Sequence, residues 1–208
     1  MGMSGRERLL AFVAVFTLLA ACAGQSQGAK FNRKVDIGQS APKFNDLMGI
    51  DGKPHSLDDY KSAKILVIAF TCNQCPVSRM YEDRFIRFAK VQKKLGVIFI
   101  AISSSLLPPD NLDKMKERAA QKGFDFPYLH DSTQQIARAY GATVTPQVFV
   151  LDGDRNIAYM GLFDDDMEPE KVQRSYVRDA VHALLDGKRP EPSETHAKGC
   201  GIEYGKPQ

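Results

Sequence analysis

Two unbroken apolar runs, Ile65 to Phe70 and Val97 to Ile102, stand out in the middle of the chain. Each has strand length and no alternation, so each predicts a central strand covered on both faces. Between them Val77, Tyr81, Phe85, Phe88 and Leu95 recur three, four or seven apart, which predicts a helix with one apolar side stopped at Gly96. The stretch from Ser103 to Pro109 reads as a loop, and Asp110 as the cap of a helix ending near Gly123. A short strand over Phe126 to Leu129 and a helix over Ser132 to Tyr140 follow. Val148 to Leu151, the Asp152-Gly153 turn and Ile157 to Met160 form a hairpin, and a helix from about Ser175 to Leu185 closes at Gly187. Upstream, Gly52-Lys53 reads as a turn and Ser56 as the cap of a helical turn. The order predicts an α/β sandwich with a mixed sheet.

The first residues follow another pattern. Arg6 and Arg8 precede an apolar run from Leu9 to Ala21, then Cys22. A positive segment before a short apolar stretch is an export signal, and the run falls short of the ~20 residues of a spanning helix. Leu19-Ala20-Ala21-Cys22 resembles the lipobox of bacterial lipoproteins, which implies a lipid on Cys22; the alternative is a plain cleaved signal. The expected organisation is a signal over 1–21, the lipidated cysteine and a flexible tether over 22–35, one domain over 36–187 and a surface tail over 188–208 carrying Cys200. With 208 residues, 43% hydrophobic and a net charge of +3, the chain can bury a core and offers no charge excess to attract nucleic acid.

Four cysteines remain to be placed, one of them Cys22. Cys72-Asn73-Gln74-Cys75-Pro76 comes directly after the first apolar strand, which puts Cys72 at a helix start, where unpaired N–H groups favour a thiolate. Cys72 is therefore expected as nucleophile and Cys75, one turn on, as the buried resolving thiol. The bland alternatives are half a zinc site or a static disulfide, but His55, His130, His182, His196 and Cys200 lack ligand spacing, so no metal is expected. No organic cofactor is implied. Thr145-Pro146 lies just before the hairpin strand.

A strand, C-x-x-C at a helix start and Thr-Pro before a hairpin strand together resemble the thioredoxin superfamily. Gly38-x-x-Ala41-Pro42-x-Phe44, the Gly52-Lys53 turn and Ser56-Leu57 resemble its redoxin (alkyl hydroperoxide reductase/thiol-specific antioxidant) branch. Cys72-Asn73-Gln74-Cys75-Pro76, Phe126-Pro127-Tyr128-Leu129-x-Asp131, Tyr159-x-Gly161-x-x-Asp164-Asp165 and Gly199-Cys200-x-Ile202 are similar to a peroxiredoxin-like group within it. The resemblance implies a three-layer sandwich with helices on both faces of the sheet and an N-terminal hairpin extension. It also implies a cis Pro146 which, with Thr145, presents a substrate backbone to the cysteines. The implied activity is extracytoplasmic thiol-disulfide exchange with a cysteine-containing protein substrate or thiol reductant, on the periplasmic side of an envelope membrane or free in the periplasm or medium. A peroxidase is the alternative, yet aligning Cys75 with the peroxidatic cysteine places Ile68, Cys72 and Pro146 where that mechanism's proline, threonine and arginine belong. A copper chaperone of the Sco type, with His130 as third ligand, is a further alternative. Cys200 reads either as an auxiliary thiol or as an inert tail cysteine. Asp164-Asp165-Asp166 reads as a solvated turn near the site, and Glu82 as a surface glutamate.

Overall fold

Every residue of the strand β3 (Ile65–Phe70) is buried, as an unbroken apolar run requires. The computed structural model describes residues 28–206, so the expected signal and Cys22 lie outside the described residues. Around β3 the chain adds β1 (Leu47–Gly49), β2 (Pro54–His55), α1 (Pro76–Gln92), β4 (Val97–Ser103), α2 (Leu112–Lys122) and β5 (Tyr128–His130). It continues through α3 (Gln135–Tyr140), β6 (Val144–Thr145), β7 (Gln147–Leu151), β8 (Ile157–Gly161), α4 (Tyr176–Leu185) and β9 (Cys200–Gly201).

Seven strands form one mixed sheet in the order β2-β1-β5-β4-β3-β7-β8. β4 runs parallel to both β3 and β5, while β7 is antiparallel to β3. The two-residue period of β3 splits the core. Ile65, Val67 and Ala69 pack with Tyr81, Phe85 and Phe88 of α1, Met115 of α2 and Val177 and Val181 of α4. Leu66, Ile68 and Phe70 face Ala137 and Tyr140 of α3 and the N-terminal residues Val35, Phe44 and Tyr60. Helices thus cover both faces, with the β1–β2 hairpin as an N-terminal extension, and the three-layer expectation holds.

Several local expectations change. Helix α1 ends at Gln92 and a 3₁₀ turn carries Leu95, which is exposed rather than on the packed side; Gly96 (φ 81°) makes the left-handed stop. Asn111 caps α2, its side chain accepting from the Lys114 N–H at 2.9 Å, which releases Asp110 to a buried position. The stretch read as a free tether is fastened from residue 29: the Ala29 N–H reaches Asp36, and Phe31 and Asn32 donate to Glu194 at 2.9 and 2.8 Å. Glu82 is buried and paired with Arg118 at 2.6 and 2.9 Å. Asp164 is likewise buried, 2.7 Å from Arg84, so only its neighbours form an acidic surface turn.

Candidate active site

The loops that follow two parallel strands border one another at the carboxyl end of a sheet. The loop after β3 carries Cys72 to Cys75, and the loop after β4 carries Leu106 to Asp110. The second pins the first: Asn73 donates to the Pro109 carbonyl at 3.0 Å and accepts from the Tyr128 hydroxyl at 3.1 Å, while the Gln74 N–H donates to Asp110 at 3.0 Å. The other Asp110 carboxylate oxygen is buried with no partner among the described residues.

Helix α1 begins one turn later than the sequence suggested. Pro76 occupies its first position and Cys75, not Cys72, is the cap, its sulfur accepting the Ser78 N–H at 3.3 Å. The helix end therefore acts on Cys75. Cys72 favours the charged form of the Cys75 sulfur, and Cys200, the Thr145 hydroxyl and the Ser78 N–H act in the same sense. Against the opposing effect of burial, these neighbours pull the Cys75 thiol down. The Cys75 thiol itself donates to the Thr145 carbonyl at 3.2 Å, a contact that favours its protonated form. Cys72 is pushed up by its bond to Cys75, by burial and by the Asp110 charge. The two thiols therefore titrate as an interacting pair, ionisation being favoured at Cys75 and opposed at Cys72. Cys75 is 3% exposed, whereas Cys72 is partly open.

Pro146 follows Thr145 through a cis peptide bond and is buried. The Thr145 hydroxyl lies 3.7 Å from the Cys72 sulfur. Cys72, Cys75 and Thr145 are therefore together, with Pro146 directly behind. Cys200 joins them: β9 is antiparallel to β6 in a two-stranded sheet that pairs Cys200 with Thr145. A groove of ≈ 340 Å³ lies over these residues and is walled by Gln74, Pro76, Leu106 and Leu107. A larger cavity of ≈ 470 Å³, lined by Phe31, Arg138 and His196, contains none of the sulfurs. Among the described residues no group of three His, Cys, Asp or Glu is placed to hold a metal ion.

Sequence reading alone missed Asp110 as a site residue. Its place after β4, the parallel neighbour of the cysteine-bearing strand, was the available signal. It also missed that Gly199 abuts the Thr145-Pro146 peptide, where a Cβ would come within 2.1 Å of the Thr145 oxygen.

A family model described as Redoxin matches residues 36–176. Thiol-disulfide oxidoreductase ResA of Geobacillus thermodenitrificans is 28% identical over 155 residues, spanning 72% of this chain and 84% of that protein. Among solved structures, an uncharacterized conserved protein from Geobacillus kaustophilus superposes with a TM-score of 0.76 at 34% identity, covering 82% of this chain and 93% of its own. A hypothetical protein from Sinorhizobium meliloti gives 0.77 at 29% identity, covering 84% and 98%. Peroxidoxin BcpB from Mycobacterium tuberculosis, with a TM-score of 0.58 at 22% identity over 74% of this chain and 97% of its own, shares the fold.

Proposed function

Since this chain belongs to the redoxin family, we propose that it is a thiol-disulfide oxidoreductase working through Cys72 and Cys75 on cysteine-containing proteins or thiol reductants. One observation carries this reading: two unbridged thiols meet at Thr145, one open to a groove and the other at a helix cap. The open sulfur, Cys72, is the one that meets a client disulfide. Its proton goes to the client sulfur that it displaces, and a mixed disulfide between Cys72 and the client forms. Cys75, its negative charge favoured by the cap, then attacks the Cys72 sulfur. The 72–75 disulfide forms and the second client sulfur leaves as a thiolate. The reverse sequence oxidises a client dithiol. Thr145 and Pro146 close one side of the site, their outer edge taken by β9 rather than left open for a client backbone, and the exposed Leu106 and Leu107 give the groove an apolar rim.

Export and membrane attachment are part of the proposal. Arg6, Arg8, the apolar run and Cys22 support an envelope protein held by lipid at its N-terminus. Among the described residues no helix is long and apolar enough to cross a membrane. Peroxide chemistry is not favoured, because an apolar Ile68 inside β3, a second cysteine and Pro146 stand where its polarising groups belong.

Reduction of insulin disulfides by the full chain tests the dithiol assignment. Cys72→Ser and Cys75→Ser should each lower the rate by about 100-fold or more, and the double variant should be no worse than either, because the two act as a unit. Retained turnover in both single variants overturns the assignment. Rapid formation of a sulfenic acid on mixing the reduced protein with hydrogen peroxide would favour the peroxidase instead.

A further inference from the structure

Cys200 does not sit on a loose end. The Ile202 N–H donates to the Thr143 carbonyl at 2.9 Å, extending the β6–β9 pairing. Gln134 holds the chain beyond it, donating to the Glu203 carbonyl at 2.9 Å and accepting from the Gly205 N–H at 2.7 Å. The Tyr204 hydroxyl donates to the Ala142 carbonyl, and the Arg138 guanidinium lies over the Tyr204 ring at 4.3 Å. Gly199 lets this strand close on the Thr145-Pro146 peptide, for a Cβ would meet the Thr145 carbonyl oxygen at 2.1 Å and its carbon at 2.7 Å. The tail therefore occupies the edge beside Thr145, where an added strand carrying a client cysteine would pair.

Contacts among the three sulfurs are ordered. The Cys72 sulfur lies 3.7 Å from the Thr145 hydroxyl and the Cys75 sulfur 3.2 Å from the Thr145 carbonyl, β9 sets Cys200 opposite Thr145 in the same groove, and Cys75 interacts electrostatically with both other thiols. Cys75 is the shared neighbour, with one thiol from the active-site loop and one from the tail. Exchange needs an attacking thiolate next to a sulfur that has a leaving sulfur as its other partner.

We propose that Cys200 is a third redox thiol, which takes over Cys75 from Cys72 after the first disulfide has formed. The step rests on the dithiol reading above, which supplies the 72–75 disulfide. The Cys200 thiolate attacks the Cys75 sulfur; the Cys75–Cys200 bond forms, the Cys72–Cys75 bond breaks, and Cys72 leaves as a thiolate. The proton given up by Cys200 ends on Cys72. One disulfide and one thiol are present before and after, so no outside oxidant or reductant is consumed. In the reduced protein, burial and the neighbouring Cys75 sulfur hold the Cys200 thiol up. Binding Cys75 into a disulfide removes that charge and eases loss of the Cys200 proton. The product keeps the disulfide inside while the open Cys72 is free to engage a second client.

Disulfide mapping tests the proposal. The full chain is equilibrated in reduced and oxidised glutathione, quenched in acid, alkylated and digested without reduction. Wild type should yield a Cys75–Cys200 peptide with alkylated Cys72 alongside the 72–75 bridge. In Cys72→Ser the Cys75–Cys200 bridge should exceed glutathione adducts by about tenfold or more, because a tethered thiol acts at an effective concentration well above millimolar glutathione. Gly199→Ala, which displaces the tail and alters no sulfur, should lower the 75–200 yield while the 72–75 bridge still forms. Alkylated Cys200 at every redox poise of wild type, or only glutathione adducts in Cys72→Ser, overturns the proposal. Cys200→Ser separates the two readings. A 72–75 bridge in that variant preserves the dithiol assignment even if Cys200 proves inert, and its absence there and in wild type defeats both.

Discussion

The Ser78 N–H donates to the Cys75 sulfur at 3.3 Å, and the Cys72, Cys200 and Thr145 side chains favour its charged form in the same sense. A thiol held below its ordinary value keeps its negative charge to lower pH than a free cysteine and loses it only as the pH falls through the lowered value. Its stabilising contribution to the reduced protein is therefore fully present above the ordinary thiol range, near 9, and is lost as the pH falls through the lowered value. Ultraviolet thiolate absorbance of reduced protein should show one ionised cysteine surviving to mildly acid pH, and Cys75→Ser should abolish that signal. The same stabilisation of the reduced state should set the potential on the oxidising side of thioredoxin's about −270 mV, as equilibration with glutathione would measure. Asp110 acts on the other cysteine. Its buried charge helps hold the proton on Cys72, so Asp110→Asn, which keeps an oxygen for the Gln74 N–H, should raise the alkylation rate of Cys72 several-fold at neutral pH.

At the scale of elements, a buried ion pair fastens α1 to the turn that follows β8. Arg84 donates to Asp164 at 2.7 Å and to the Asp166 carbonyl at 2.8 Å, and lies 3.7 Å from the centre of the Tyr81 ring. Burial pushes the Asp164 carboxyl up despite the guanidinium, the sign of a desolvated pair. Asp164→Ala leaves Arg84 without its counter-charge and should cost about 3–5 kcal/mol in denaturant unfolding. The elements themselves were readable in advance, because β3, β4, the β7–β8 hairpin and α1 bury continuous or periodic apolar faces that leave a direct mark on residue order. Helix ends were less so: Asp110 and Asn111 are both good caps, and only the packed structure decides that Asn111 takes the role and Asp110 turns inward. The cysteine pair and Thr145-Pro146 were visible as motifs. Which sulfur meets the helix N–H was not, since a shift of three residues in the start of α1 moves that contact from Cys72 to Cys75.

Across the whole molecule the two chain ends are clasped together. The Glu194 carboxylate accepts the backbone N–H groups of Lys30, Phe31 and Asn32, and the Asn32 side chain donates to the Tyr140 carbonyl at 2.8 Å. Glu194→Ala leaves those N–H groups without their shared acceptor. It should cost about 1–2 kcal/mol and open the segment near residue 32 to limited proteolysis, while the 72–75 chemistry continues. The clasp also fixes how far the enzyme can stray. With Cys22 carrying lipid as proposed, only the eight residues from Cys22 to Ala29 lie between the bilayer and the first fastened position. Fully drawn out they span about 28 Å, less than the roughly 40 Å breadth of a folded unit this size. On that proposal, so short a leash would keep the catalyst grazing the lipid surface, and its customers would be proteins that present their sulfurs close to that surface.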